Sequence, residues 1–138
     1  MIFVYAAGVF DILHYGHIRY LKHAKSLGDV LVVGLLTNKG AARYKPQPLL
    51  SYLERWEVLK AIDCVDYIVR QDDTDPIETL KELKKAHNWT FDILCRGADY
   101  KKVPQGTEYI EVNGGKVVRV PYSKEISSTE IKRRILEE

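Results

Sequence analysis

Apolar runs of two different periods alternate along this chain, and that alternation restricts the fold more than any other feature. Ile2-Phe3-Val4-Tyr5-Ala6-Ala7 is a short β-branched and aromatic run closed by Gly8, and Val30 to Leu36 is a second. Continuous apolar runs of this length suit strands buried on both faces. Between them Ile18, Leu21, Ala24 and Leu27 recur at helical spacing, and Gly28-Asp29 ends the stripe where a left-handed residue can close a helix. Strand, helix and strand within about 35 residues is the size at which a parallel crossover becomes possible.

The unit repeats with variations. After a predicted loop from Asn38 to Leu50, Ser51 and Glu54 have the spacing of a capping box, and the helix they start is predicted to bury Leu53, Trp56, Leu59 and Ile62. Tyr67-Ile68-Val69 predicts a third strand. Asp75-Pro76 opens a helix with Ile77, Leu80 and Leu83 on its buried stripe, proline being tolerated in a first turn. Asp92 to Arg96 predicts a fourth strand, Thr107 to Val112 a short helix or turn, and Lys116 to Val120 a fifth strand. A last helix is predicted from about Ser128, with Ile131 and Ile135 on one face. Together these elements predict one α/β domain over residues 1–138, a Rossmann-like doubly wound sheet of five parallel strands. Ligands of such sheets bind beyond the carboxyl ends of the strands, here after Ala7, Thr37, Val69, Arg96 and Val120.

Charge narrows the function classes. With 21 basic and 19 acidic side chains the net charge is +2, too small to gather nucleic acid or an anionic membrane by its field. Lys132-Arg133-Arg134 reads as the solvated face of the last helix. Any anion must therefore be met by local geometry. The apolar runs fall short of the ~20 residues of a membrane helix, and no basic leader precedes the first strand, so a cytoplasmic protein is expected. Cys64 and Cys95 each sit in an apolar run and are expected to be buried free thiols.

The richest chemistry follows the first strand, in Gly8-Val9-Phe10-Asp11-Ile12-Leu13-His14-Tyr15-Gly16-His17. Two imidazoles stand at a helix N-terminus, where unpaired N–H groups and the helix dipole favour an anion. Gly8 and Gly16 let backbone approach a bulky ligand, and imidazoles that donate to a phosphate can stabilise charge developing during its transfer. Two alternatives use the same residues: the histidines as plain helix caps, or Asp11, His14 and His17 as three metal ligands.

Gly8-x-Phe10-Asp11 followed by His14-x-Gly16-His17 resembles the signature of the cytidylyltransferase-like nucleotidyltransferases, the HxGH family that shares its fold with class I aminoacyl-tRNA synthetases. Ile126-Ser127-Ser128-Thr129 resembles the family's second motif, at the start of its last helix. The resemblance implies that an NTP, with Mg²⁺, and a phosphorylated acceptor give an NDP-linked product and pyrophosphate. It implies that His14 and His17 contact the NTP phosphates, that Ser127, Ser128 and Thr129 meet the β- and γ-phosphates, and that Lys45 is a mobile cation reaching a phosphate. Arg55 matches a position kept basic for the same purpose, with Arg43 a weaker candidate. Arg96-Gly97-Ala98-Asp99-Tyr100 resembles the segment lining the nucleoside, Asp99 holding the ribose or base edge. A homodimer is implied as well. Each has a plainer reading: Ser127 as an N-cap, Lys45 in a solvated loop, Arg55 on a helix surface, Arg96 as a carboxylate's structural partner.

Two subfamilies compete for the substrate. Cytidylyltransferases acting on glycerol 3-phosphate or phosphocholine carry an arginine and a glycine in the second motif, both missing from Tyr122-Ser123-Lys124-Glu125-Ile126-Ser127-Ser128. The adenylyltransferases that make ADP-heptose also lack that arginine and resemble this chain in Asp72 to Leu80, Gly97 to Tyr100 and Gly114 to Val118. The expectation is ATP and a sugar 1-phosphate, with CTP and an alcohol phosphate as the alternative and Lys124 as a stand-in for the arginine. A non-catalytic nucleotide-binding module on the same fold is the reading from another class.

Overall fold

In the computed structural model, residues 1–42, 47–98, 101–121 and 126–137 are described. The chain runs β1 (Phe3–Gly8), α1 (Tyr15–Ser26), β2 (Val30–Leu36), α2 (Asn38–Ala42), α3 (Tyr52–Lys60) and β3 (Tyr67–Gln71). It continues as α4 (Ile77–His87), β4 (Ile93–Gly97), α5 (Thr107–Val112), β5 (Lys116–Val120) and α6 (Ser128–Leu136). The five strands form one parallel sheet in the order β3-β2-β1-β4-β5. The predicted doubly wound sheet is therefore present.

Its two faces carry separate cores. Tyr20, Leu21 and Ala24 of α1 and Leu59 of α3 pack with Val4, Ala6, Leu31, Val33 and Leu35. Leu80 and Leu83 of α4 and Ile110 of α5 pack on the other face with Tyr5, Val32, Phe91 and Leu94. Alternate residues of β1 and β2 thus face opposite helical layers, which is why those strands read as unbroken apolar runs. The chain leaves β1 toward β2 and later returns past it to β4, so the winding reverses between β1 and β4. That reversal opens a crevice beyond the carboxyl end of β1.

Register at the opposite end is held by three aspartates, each just before a strand. Asp29 accepts from Ile2 N–H at 2.7 Å, Asp66 from Leu31 N–H at 2.7 Å and Asp92 from Phe3 N–H at 2.9 Å. These carboxylates satisfy N–H groups at the starts of neighbouring strands, where the ladder cannot.

Four local expectations change. The predicted loop after β2 begins as α2, because Thr37 caps it: its hydroxyl accepts from Gly40 N–H at 3.1 Å. The capping box of Ser51 and Glu54 forms, but Leu53 is 64% exposed and Arg55 is buried instead. No residue of α6 is fully buried, and Ile135 faces out. Cys95 is buried as expected, whereas the free thiol of Cys64 is only partly covered.

Among the described residues no helix is long and apolar enough to cross a membrane. The basic run of α6 is paired with acids on its own helix or beside it: Arg133 with Glu130 and Glu137, Arg134 with Glu130, and Lys132 with Asp11.

Candidate active site

The turn after β1 is shaped by two residues in left-handed backbone, Phe10 at φ 52° and Ile12 at φ 50°. Side chains rarely adopt that region, so the surrounding contacts must hold the turn in place. The Phe10 ring folds back over Gly8, where a Cβ would lie 2.8 Å from it, and meets the edge of the His17 ring at 5.5 Å between centroids.

The histidines then cap α1 reciprocally. His14 is the N-cap, its Nδ1 accepting from Gly16 N–H at 3.1 Å, while His17 Nδ1 accepts from His14 N–H at 3.2 Å. A nitrogen that accepts carries no proton, so each neutral ring must hold its proton on Nε2. The rings stack at 3.8 Å and 28°, an arrangement that two imidazolium charges would oppose. His14 Nε2 is buried and has no hydrogen-bond partner among the described residues. Such a donor is a standing cost until an acceptor arrives. The plain-cap reading is thus met by Nδ1 of His14, and Nε2 of the same ring is the atom without a partner.

Gly16 makes this possible by close approach. A Cβ there would lie 2.9 Å from the His14 ring and 3.2 Å from Ile126 Cγ2. Ile126 is buried and leads into α6, so the missing side chain lets the N-termini of α1 and α6 abut. Ser127 caps α6, its hydroxyl accepting from Glu130 N–H at 3.0 Å, and Ser128 Oγ donates to the Asp11 carbonyl. Thr129 is exposed in the first turn. Two helix N-termini therefore meet at the sheet's crevice, and both favour an anion.

The Asp11 carboxylate does not face the histidines' Nδ1 atoms as a third metal ligand. It accepts from Leu49 N–H at 3.0 Å and Leu50 N–H at 3.1 Å, and pairs with Lys132 Nζ at 3.2 Å. Among the described residues no three His, Cys, Asp or Glu side chains are placed to hold a metal ion. Burial pushes the Asp11 carboxyl pKa up, but the two N–H donors and Lys132 outweigh it and leave the group below its ordinary 3.8.

Arg55 is 1% exposed and buried beneath the crevice. Its guanidinium donates to Val9 O at 2.7 Å, Leu36 O at 2.8 Å, Leu50 O at 3.3 Å and Asn38 Oδ1 at 2.7 Å. It ties the turns after β1 and β2 to the start of α3, and the helix-surface reading is excluded. Burial lowers its pKa, and the Asp11 charge works in the opposite sense. Arg96 and Gly97 end β4, in register with Arg119 and Val120. Arg43, Lys45, Asp99, Tyr100 and Lys124 lie outside the described residues.

Burial also holds the His14 pKa below its ordinary 6.5. As pH falls below 6.5 the unfolded chain gains a proton that folded His14 resists, so stability drops between 6.5 and the lower folded value. A second loss is expected below 3.8, where the unfolded chain protonates Asp11 first. Denaturant melts across pH should show both declines and no gain on acidification. A bound polyphosphate should move the His14 titration, followed by ring proton resonances, upward.

A doubly wound sheet whose switch point carries two abutting helix N-termini and a stacked pair of imidazoles has a site suited to an anion. The chain belongs to the cytidylyltransferase-like family, whose match covers residues 5–134, and so to the nucleotidyltransferases. It is 38% identical over 136 residues to the bifunctional protein HldE of Citrifermentans bemidjiense and 39% identical over 138 residues to that of Geobacter metallireducens. Those matches take in 96% of this chain but only 27% and 26% of the relatives, so the chain spans about a quarter of their length. The lipopolysaccharide core biosynthesis protein of Thermoplasma volcanium is 34% identical with a TM-score of 0.75, over 90% of this chain and 99% of that one. Pantoate-beta-alanine ligase from Francisella tularensis, at 18% identity and TM-score 0.52 over 99% of this chain and 70% of its own, shares the fold.

Proposed function

We propose that the chain transfers an adenylyl group from ATP to a sugar 1-phosphate of the heptose type, releasing pyrophosphate. The observation that carries the reading is the reciprocal histidine cap, which commits both Nδ1 atoms to the backbone, with the His14 Nε2 buried and without a hydrogen-bond partner among the described residues, beside the α6 N-terminus. The adenylyl and heptose parts draw support from Asp72 to Leu80, Gly97 to Tyr100 and Gly114 to Val118, and from the similarity to HldE proteins.

An oxygen of the acceptor phosphate attacks the α-phosphorus, and the bond from that phosphorus to the bridging oxygen breaks as pyrophosphate leaves. The nucleophile comes from the substrate, so the protein's task is to align the reactants and offset charge. His14 and His17 donate from Nε2 to oxygens that gain charge, and Ser127 to Thr129 present the α6 N-terminus to the β- and γ-phosphates. Lys45 adds a cation, and Arg96, Gly97, Asp99 and Tyr100 line the nucleoside. Gly8, Val9, Phe10 and Gly16 shape the turn that the phosphates approach. Arg55 acts from below by holding that turn. Mg²⁺ brought in with the NTP would supply further neutralisation.

The test is pyrophosphate release with Mg²⁺ and each NTP, offered heptose 1-phosphate, other sugar phosphates, glycerol 3-phosphate or phosphocholine. Turnover with ATP and a sugar phosphate is expected. Turnover confined to CTP and an alcohol phosphate would replace this reading with the cytidylyl one, and no turnover with any pair would favour a binding module. The homodimer belongs to the same proposal and is checked by sedimentation equilibrium.

A further inference from the structure

We infer that Asp11 and Lys132 form a charge clamp, in which Lys132 cancels a carboxylate set inside the phosphate cradle while the pair ties α6 to the histidine turn. Both are positioning residues, and the inference rests on the triphosphate reading of this site.

Asp11 lies three residues before the N-cap of α1, between the left-handed residues Phe10 and Ile12. A bare carboxylate there would oppose an incoming polyphosphate, and water could screen little of it at 7% exposure. Its partners resolve the conflict. Leu49 and Leu50 N–H groups occupy it from the segment before α3, and Lys132 Nζ from α6. Of these three partners among the described residues, Lys132 is the one that brings a full positive charge.

The same residue binds α6 twice. The Asp11 carbonyl accepts from Ser128 Oγ, and its carboxylate pairs with Lys132, four residues further along. Residues at that spacing share one helix face, so the two contacts fix both the position and the rotation of the first turns of α6. That first turn holds Ser127, Ser128 and Thr129. Lys132 is thereby spoken for by Asp11, and its effect on a phosphate is indirect.

The experiment measures affinity for inorganic tripolyphosphate and for MgATP by calorimetry, alongside pyrophosphate release, in the wild type, Lys132→Met, Lys132→Arg and the double variant Asp11→Asn/Lys132→Met. Lys132→Met should weaken both ligands by about tenfold, because the carboxylate it leaves unpaired repels them from a buried position. Lys132→Arg should bind within about threefold of wild type, and the double variant should regain most of the loss, since no unpaired carboxylate remains. Were the lysine merely structural, Lys132→Met would lose stability while the ligand affinity of the folded protein stayed unchanged.

Equal affinity in Lys132→Met and wild type, or a double variant weaker than Lys132→Met, overturns the clamp. Should the double variant not fold, a Lys132→Arg variant that binds as weakly as Lys132→Met does the same. If the variants follow the expected pattern while no NTP yields pyrophosphate, the clamp stands and the proposed reaction falls. If wild type turns over and the variants bind alike, the reaction stands and the clamp falls; no binding of either ligand by wild type removes both.

Discussion

Replacing His17 with asparagine should leave the protein folded and cut turnover by about a hundredfold or more, on the scale of losing a donor aimed at transition-state charge. The argument is atomic. His17 uses Nδ1 to accept from His14 N–H, and its proton is therefore on Nε2. Asparagine places an oxygen near the position of Nδ1, so the cap survives, but it has nothing at the position of Nε2. His17→Gln reaches the Nε2 position with an amide and gives up the cap. It should retain more activity than His17→Asn and lose about 1 kcal/mol of stability. Thermal melts and initial rates on the two variants check both halves. Near-normal turnover in His17→Asn would remove the histidine from the chemistry.

Arg55→Met should cost about 3–5 kcal/mol of stability, the range for breaking a buried charged network. The side chain is fully buried and donates to three backbone carbonyls and Asn38. Methionine would fill much of the volume but leave the Val9, Leu36 and Leu50 carbonyls without this donor in a dry setting. In a domain of this size the melting temperature should fall by roughly 10 °C or more. Arg55→Lys should recover only part of this, because one ammonium cannot span acceptors on three segments as a planar fork does. Measured by denaturant titration, a loss under about 1 kcal/mol would mean that the turns after β1 and β2 hold themselves.

These two residues mark where the sequence could be read and where it could not. The histidine pair is local: cap, glycine and second ring fall within four positions, and the Gly16 contact with the His14 ring is settled by their spacing alone. Arg55 sits in Leu53-Glu54-Arg55, which looks like any solvated helical turn. Its burial, and the exposure of Leu53, depend on carbonyls that β1 and β2 present to α3 from elsewhere in the chain. The short α2 was hidden for a similar reason, its cap Thr37 being the residue that immediately follows a strand. The aspartates before β2, β3 and β4 carry no local signal either, because each accepts from a neighbouring strand's N–H.

The sequence by itself determined the α/β alternation, the parallel sheet and the two motifs that meet at the carboxyl edge of its strands. Periodicity and capping are short-range properties, written in residues within one or two turns of each other. Tertiary structure alone decided that Asp11 answers to Lys132, 121 positions away, that Arg55 serves as an internal brace, and that Ile126 meets Gly16. Each of those depends on where crossovers deliver distant segments. In the proposed reading, a chain of net charge +2 meets a polyanion because folding brings two helix N-termini together and pairs the Asp11 carboxylate beside them with Lys132.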